Sequence, residues 1–322
     1  MRGIPAPGEP LPNSQATRYF EWTRQYRGDG IEPEQDDPRT ARLLMRAEAK
    51  ELAGPPEPVH AVEEIDIDHF TARLYHADDT SRDVLVWMHG GGWMAGDADV
   101  YDTAMRALVN RAGCSVLSVN YRLAPEHPYP AGLDDCWTAL NWATARFDNV
   151  AVGGDSAGGN LAAATALRAR DHDVALALHI LIYPVLDYRP ESPSYAAFAK
   201  RYRRFAGVVD FGRTTAELIQ HIWESYVPEV GHRYQPYASP LRARSLRGVA
   251  PALVVLAEHD ILRQEGFDYV ARLESDGVQV AVSHYAGQVH GFFHLPGSFP
   301  DALDVIVCTA EALRAAFSAP TE

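Results

Sequence analysis

The sequence predicts an α/β fold: a central, mostly parallel sheet of eight strands, helices on both of its faces, and a helical cap. Three observations carry the prediction. Short apolar runs recur along most of the chain with little polar interruption, the texture of strands buried on both faces of a parallel sheet. Helix-forming stretches fill the intervals between them, as strand-to-strand crossovers require. One interval, from Pro184 to Pro251, breaks the alternation, and an insertion of that length at the carboxyl end of a central strand lies over the ligand-binding edge of such a sheet. With 322 residues, 47% of them hydrophobic, the chain has the apolar material for one large core.

Residues 1–57 stand apart. Helical stretches at Ser14–Arg27 and Asp37–Leu52 are joined by an acidic, glycine-containing link, and Gly54-Pro55-Pro56 closes the region. They fit no strand–helix repeat and are expected to form part of the cap. Val62–His69 and Thr71–His76 alternate polar and apolar residues, as an antiparallel pair at a sheet edge does. Buried strands are expected at Asp83–Met88, Ser115–Tyr121, Val150–Val152, Ala175–Tyr183, Ala252–Ala257 and Gln279–Tyr285. Helices are expected at Tyr101–Ala112, Ala131–Phe147, Leu161–Arg170, Thr214–Tyr226, Glu265–Asp276 and Pro300–Phe317. The organisation that follows is cap 1–57, core 58–187, cap insertion 188–240 and core 241–322, with no internal repeat.

The chemistry centres on Gly154-Asp155-Ser156-Ala157-Gly158, a G-x-S-x-G pattern with an apolar run before it and an alanine-rich helix after it. A serine on a tight strand-to-helix turn is held with its Oγ proud of the sheet, and glycines two residues either side are required because side chains there would collide across the turn. The turn also leaves backbone N–H groups at the helix start unpaired and facing whatever Ser156 attacks. A serine nucleophile needs a base and a group that orients the base. In this kind of sheet the acid and then the histidine follow the serine, each on a loop after a later strand. Asp260 and His290 occupy those loops, with Glu258 the alternative acid and His294 the alternative base.

His89-Gly90-Gly91-Gly92 follows the buried strand ending at Met88. Acyl transfer places negative charge on a former carbonyl oxygen, and bare glycine N–H groups approach that oxygen without interference from a Cβ. Candidate substrate-binding residues are Trp93 and Met94 after this loop, Tyr188 at the start of the insertion, and Tyr202 and Phe205 within it. They would wall a closed pocket of limited depth, although core packing is the ordinary role of any one such aromatic. The run Lys200–Arg204 fits either a solvated helix face or a pocket for an anionic substrate.

From Asp83 to Phe317 the chain resembles the hormone-sensitive-lipase family of α/β-hydrolase esterases, in its bacterial HGGG and GDSAG branch. The resemblance rests on His89-Gly90-Gly91-Gly92-Trp93, on the stretch Gly154–Leu161, on Tyr121–Ala131, on Asp260–Gly266 and on His290-Gly291-Phe292. It implies Ser156, Asp260 and His290 as the triad and the N–H groups of Gly91, Gly92 and Ala157 as the oxyanion hole. It also implies that His89 shapes the glycine loop rather than moving protons, and that Tyr121–Pro130 is structural, fixing the loop beneath the site. Gln264 departs from the acidic residue frequent in the family, which puts local loop contacts in question. The cap regions match weakly.

Composition narrows the partners. A formal charge of −14 opposes nucleic acid and anionic membrane surfaces. No stretch reaches membrane-spanning length and the first residues show no secretory apolar region, so a cytoplasmic protein is expected. Cys114, Cys136 and Cys308 are isolated, which suits small buried hydrophobes in a reducing compartment. No cofactor and no metal are expected, since neither HExxH nor G-x-G-x-x-G occurs. The expected partner is a small-molecule ester, hydrolysed by a serine carboxylesterase with a preference for short acyl chains, and a homodimer is left open. An acetyl, amide or carbamate group of a specialised metabolite is the alternative substrate. A ligand-binding receptor on an inactive hydrolase scaffold is the alternative of another class.

Overall fold

A computed structural model describes residues 12–27, 38–189 and 215–319. Eight strands form one sheet in the order β1-β2-β4-β3-β5-β6-β7-β8. They are β1 (Ala61–Ile67), β2 (Phe70–His76), β3 (Asp83–Met88), β4 (Ser115–Asn120), β5 (Asn149–Asp155), β6 (Leu178–Ile182), β7 (Ala252–His259) and β8 (Val280–Val289). β1 and β2 pair antiparallel, β2 pairs antiparallel with β4, and the remaining neighbours are parallel.

Because β3 is buried on both sides, its alternate residues serve two cores. Val84, Val86 and Met88 point into one, with α4 (Ala131–Thr144), α5 (Ala157–Asp171) and α7 (Arg263–Ser275); Leu85 and Trp87 point into the other, with α3 (Ala98–Ala112) and α8 (Pro300–Phe317). This period-two partition is why the run Asp83–Met88 carries no polar residue after its first. α3 begins three residues ahead of the sequence expectation, because the Asp97 side chain accepts from the Val100 N–H and starts the helix there. β8 runs past its expected end at Tyr285 to Val289, which pairs with His259 across an irregularity in β7.

Among the described residues three further α-helices extend these two faces. α1 (Ser14–Arg27) is fastened to the end of β8 and to α8: the Asn13 N–H donates to the Gly287 carbonyl at 2.9 Å, and Gln15 Nε2 donates to Asp301 at 3.0 Å. α2 (Pro38–Leu52) packs on α3. α6 (Thr215–Tyr226) lies against the glycine loop, where Tyr226 stacks on Trp93 with ring centroids 4.1 Å apart. The aromatic and basic segment with Tyr202, Phe205 and Lys200–Arg204 lies outside the described residues. Among the described residues no helix is long and apolar enough to cross a membrane.

Candidate active site

Ser156 sits between β5 and α5 with φ 55° and ψ −118°, a backbone conformation that non-glycine residues adopt rarely and at a cost. The turn is tight: a Cβ at Gly158 would overlap the Met88 carbonyl, and one at Gly154 would overlap the Gly158 carbonyl. The Ser156 N–H donates to the Ile182 carbonyl at 2.8 Å, which ties the turn to β6.

His290 follows β8 and Asp260 follows β7, and both reach the serine. Ser156 Oγ lies 2.8 Å from His290 Nε2, and His290 Nδ1 lies 2.8 Å from Asp260 Oδ2. A carboxylate only accepts, so the ring proton belongs on Nδ1 and the serine hydroxyl donates to Nε2. Asp260 is fully buried, and its other oxygen accepts from the Leu262 N–H at 2.8 Å. Burial works against a charge on His290, but the charge and hydrogen bond of Asp260, with a contribution from Asp155, outweigh it and hold the ring above the ordinary histidine range. The alternatives point elsewhere. Glu258 accepts from the Gly287 N–H at 2.7 Å, and His294 packs on the Tyr101 ring, pushed down to about 4 by burial.

Gly91 and Gly92 adopt φ 120° and 63°, and no hydrogen bond within the described residues takes up their N–H groups or that of Ala157. His89 is fully buried, and its ring stacks on Tyr121 at 4.3 Å. Its Nδ1–H donates to the Gly90 carbonyl at 2.8 Å, and burial pushes its pKa down to about 4, so the ring is a neutral wedge under the loop. The Tyr121 hydroxyl donates to the His89 carbonyl at 2.7 Å and the Ala124 N–H to the Trp93 carbonyl at 2.9 Å, so Tyr121–Ala124 touches the loop from below.

Trp93 is 1% exposed and packs between Trp223 and Tyr226. Tyr188 is also buried, with its hydroxyl accepting from Arg233 Nη1 at 3.1 Å. Both rings are therefore engaged in packing α6, while Met94 is partly buried against the same core. Sequence reasoning missed several residues that frame the site. Glu265 is buried and accepts from the Leu186 and Asp187 N–H groups at 2.7 and 3.0 Å, which anchors the loop after β6, while Gln264 points to Asp268 on the exposed face of α7. Asn160 donates to the Val185 and Ala238 carbonyls at 3.0 and 2.9 Å. Asp155 ends a buried run, where a carboxylate demands donors, but nothing in the sequence says which residues supply them. Among the described residues no group of three or more His, Cys, Asp or Glu side chains converges as metal ligands.

A strained serine after a central parallel strand, with histidine and acid delivered in chain order from the ends of the last two strands, defines the α/β-hydrolase class. A family model described as alpha/beta hydrolase fold matches residues 85–294, and the chain belongs to this family, the hormone-sensitive-lipase type of α/β-hydrolase esterases. It is 35% identical over 297 residues to the carboxylesterase NlhH of Mycobacterium tuberculosis, covering 86% of this chain and 90% of that protein. It is 33% identical over 240 residues to the gibberellin receptor GID1A of Arabidopsis thaliana, covering 69% of this chain and 67% of the receptor. The crystal structure of a thermostable esterase from Pseudomonas putida is similar with a TM-score of 0.84 at 28% identity, over 97% of this chain and all of that one.

Proposed function

We propose that this protein is a carboxylesterase that cleaves small esters of short acyl chains through an acyl-enzyme on Ser156. The observation that carries the reading is the unbroken relay from Ser156 Oγ to His290 to Asp260, each step 2.8 Å. As Oγ attacks the ester carbonyl carbon, its proton passes to His290 Nε2 and the carbonyl oxygen becomes an oxyanion facing the N–H groups of Gly91, Gly92 and Ala157. The carbon–oxygen bond to the alcohol then breaks, and the His290 proton goes to the departing alkoxide. Water attacks the acyl-enzyme, its proton passing to His290 and on to Ser156 Oγ as the acid leaves.

The short-chain preference is supported by the closeness of the cap helix. Ile222 on α6 lies 3.4 Å from where Gly92 would carry a Cβ, and Trp93, Trp223 and Tyr226 fill the seam between helix and loop. An acyl chain above the glycine loop meets that helix early, and lengthening the pocket means displacing it. In this reading residues 1–57 and 188–240 are the two parts of the cap. A panel of p-nitrophenyl esters from acetate to palmitate, run beside an amide, a carbamate and a triglyceride emulsion, tests it. Activity should peak at roughly two to six acyl carbons, the range a closed pocket admits. Preference for long-chain emulsions contradicts it.

The similarity to a gibberellin receptor favours one other reading, ligand capture without turnover. Such a receptor would be expected to lose serine or base, and both are in place here.

A further inference from the structure

Asp155 adjoins Ser156 in the chain, takes no part in the relay above, and is 2% exposed. Its Oδ1 accepts from the Gly90 N–H at 2.9 Å; its Oδ2 accepts from the Tyr101 hydroxyl at 2.9 Å and the Tyr183 hydroxyl at 3.3 Å. These donors come from different walls of the site. Gly90 opens the loop that carries Gly91 and Gly92, and its N–H is shared with the Tyr101 hydroxyl at 3.0 Å. Tyr183, just past β6, accepts the Phe293 N–H at 3.1 Å and lays its ring 4.7 Å from that of His290. The packing at Gly90 leaves no space for a Cβ, which would stand 2.6 Å from Asp155 Oδ2. A carboxylate this buried, bonded among the described residues to neutral donors alone, is costly to keep.

We propose that Asp155 is a positioning residue that pins the glycine loop and the histidine loop to the nucleophile turn, and that its carboxylate is a second negative charge, beside Asp260, supporting the cationic form of His290. The inference rests on the roles proposed above for Ser156 and His290. His290 is a cation for as long as the tetrahedral intermediate lasts, and a fixed, buried negative charge nearby stabilises it without contact. Apart from Asp260, the buried tyrosines and histidines packed around the pair among the described residues are neutral at working pH. Tyr101 on α3, Tyr121 after β4 and Tyr183 after β6 are buried and held well above the ordinary tyrosine range. Burial pushes His89 and His294 down to about 4. Burial also pushes Asp155 up to about 6, against the hydrogen bonds of Tyr101, Gly90 and Tyr183, which leaves it ionised at neutral pH.

Asp155→Asn keeps the shape and removes the charge. The acid limb of kcat/KM should then move to lower pH by about half a unit or more, the size of shift a nearby charge imposes on a histidine. kcat should fall by about tenfold or more, as when support of an oxyanion loop is lost. KM for a soluble short ester should stay within roughly threefold. A merely structural Asp155 lowers activity and melting temperature but leaves the midpoint of the limb in place, and that result overturns the proposal. If Asp155→Asn does not fold, Tyr101→Phe and Tyr183→Phe, each removing one donor, take its place: kcat must fall in both with little change in KM, and wild-type kcat in both overturns the proposal. Ser156→Ala separates the two levels. Activity surviving in Ser156→Ala removes the reading beneath; an inactive Ser156→Ala beside an unmoved limb in Asp155→Asn removes this inference alone.

Discussion

Arg42, on helix α2 near the start of the chain, donates through Nε to the Met94 carbonyl at 2.8 Å, two residues beyond the Gly91-Gly92 pair. The same guanidinium grips both Glu126 oxygens at 2.9 and 2.7 Å and reaches the Ala124 carbonyl at 3.3 Å. One turn along, Arg46 pairs with Asp97 at 2.6 Å, at the far end of the loop. Helix α2 is thus latched across the loop that presents the candidate oxyanion donors. Arg42→Ala should lower kcat by roughly tenfold through loss of preorganisation, with little change in KM. Glu126→Gln, which leaves the bond to Met94, should cost much less. Steady-state kinetics on a soluble ester check both, and equal losses would mean that the ion pair, not the grip on Met94, matters.

The two loop glycines should rank clearly. A Cβ at Gly91, where φ is 120°, overlaps the Ala95 carbonyl, while at Gly92, where φ is 63°, it meets Ile222 at ordinary contact distance. Gly91→Ala should lower kcat by about a hundredfold, the usual cost of spoiling an oxyanion donor. Gly92→Ala carries mainly the strain of a left-handed residue, about 1–2 kcal/mol, and should keep most of its activity. A reversed ranking in kcat would contradict the geometry.

The pH profile follows from His290. In the proposed mechanism its base form is the active one, and the charge and hydrogen bond of Asp260 outweigh burial to raise its pKa. Activity must therefore fall as pH drops through a midpoint above the ordinary histidine value of 6.5. A kcat/KM profile flat down to that value contradicts the account.

Stability should decline over a separate acid range. His89, His179 and His294 are buried and each is pushed down to about 4. Unfolded, they take up protons near their ordinary value, so each costs about 1.4 kcal/mol of stability per pH unit as pH falls from 6.5 towards 4. Asp155 opposes them: pushed up to about 6, it binds its proton first in the folded state, so stability gains from it as pH falls through that value. The raised His290 acts only above this range, its contribution being complete below its unfolded value and lost as pH rises. Two histidines remain uncompensated. Urea midpoints should be lower at pH 5 than at pH 7 with an unchanged m-value, and a midpoint that rises towards pH 5 contradicts the signs.

The sheet was legible because both-face burial leaves unbroken apolar runs: β3 coincides with the expected Asp83–Met88, and β1 and β2 with the alternating pair to within a residue or two. The end of β8 was not, since Ala286-Gly287-Gln288 has no strand period: these residues span the irregularity after Tyr285 pairs with Ala257, and pairing resumes only where Val289 meets His259. The candidate relay residues were legible because each follows a strand within a few positions, which puts all three at one edge of a parallel sheet. Asp155, Tyr101, Tyr183 and Arg42 were not. Each is an ordinary residue locally, and its meaning lies in a partner carried by a different element, such as Gly90, Phe293 or Met94.

The most direct test of the account is covalent capture of the nucleophile. A fluorophosphonate is attacked by an activated serine hydroxyl, forming a phosphorus–oxygen bond as fluoride leaves, and the adduct is stable to peptide mapping. Treated at neutral pH, the protein should gain one adduct on the peptide containing Ser156, in step with the loss of esterase activity. Ser156→Ala should fold, resist labelling and lose about three or more orders of magnitude in kcat, as triad removals do. An adduct on another residue, or a Ser156→Ala variant retaining more than about a tenth of wild-type kcat, would contradict the assignment on which the mechanism stands.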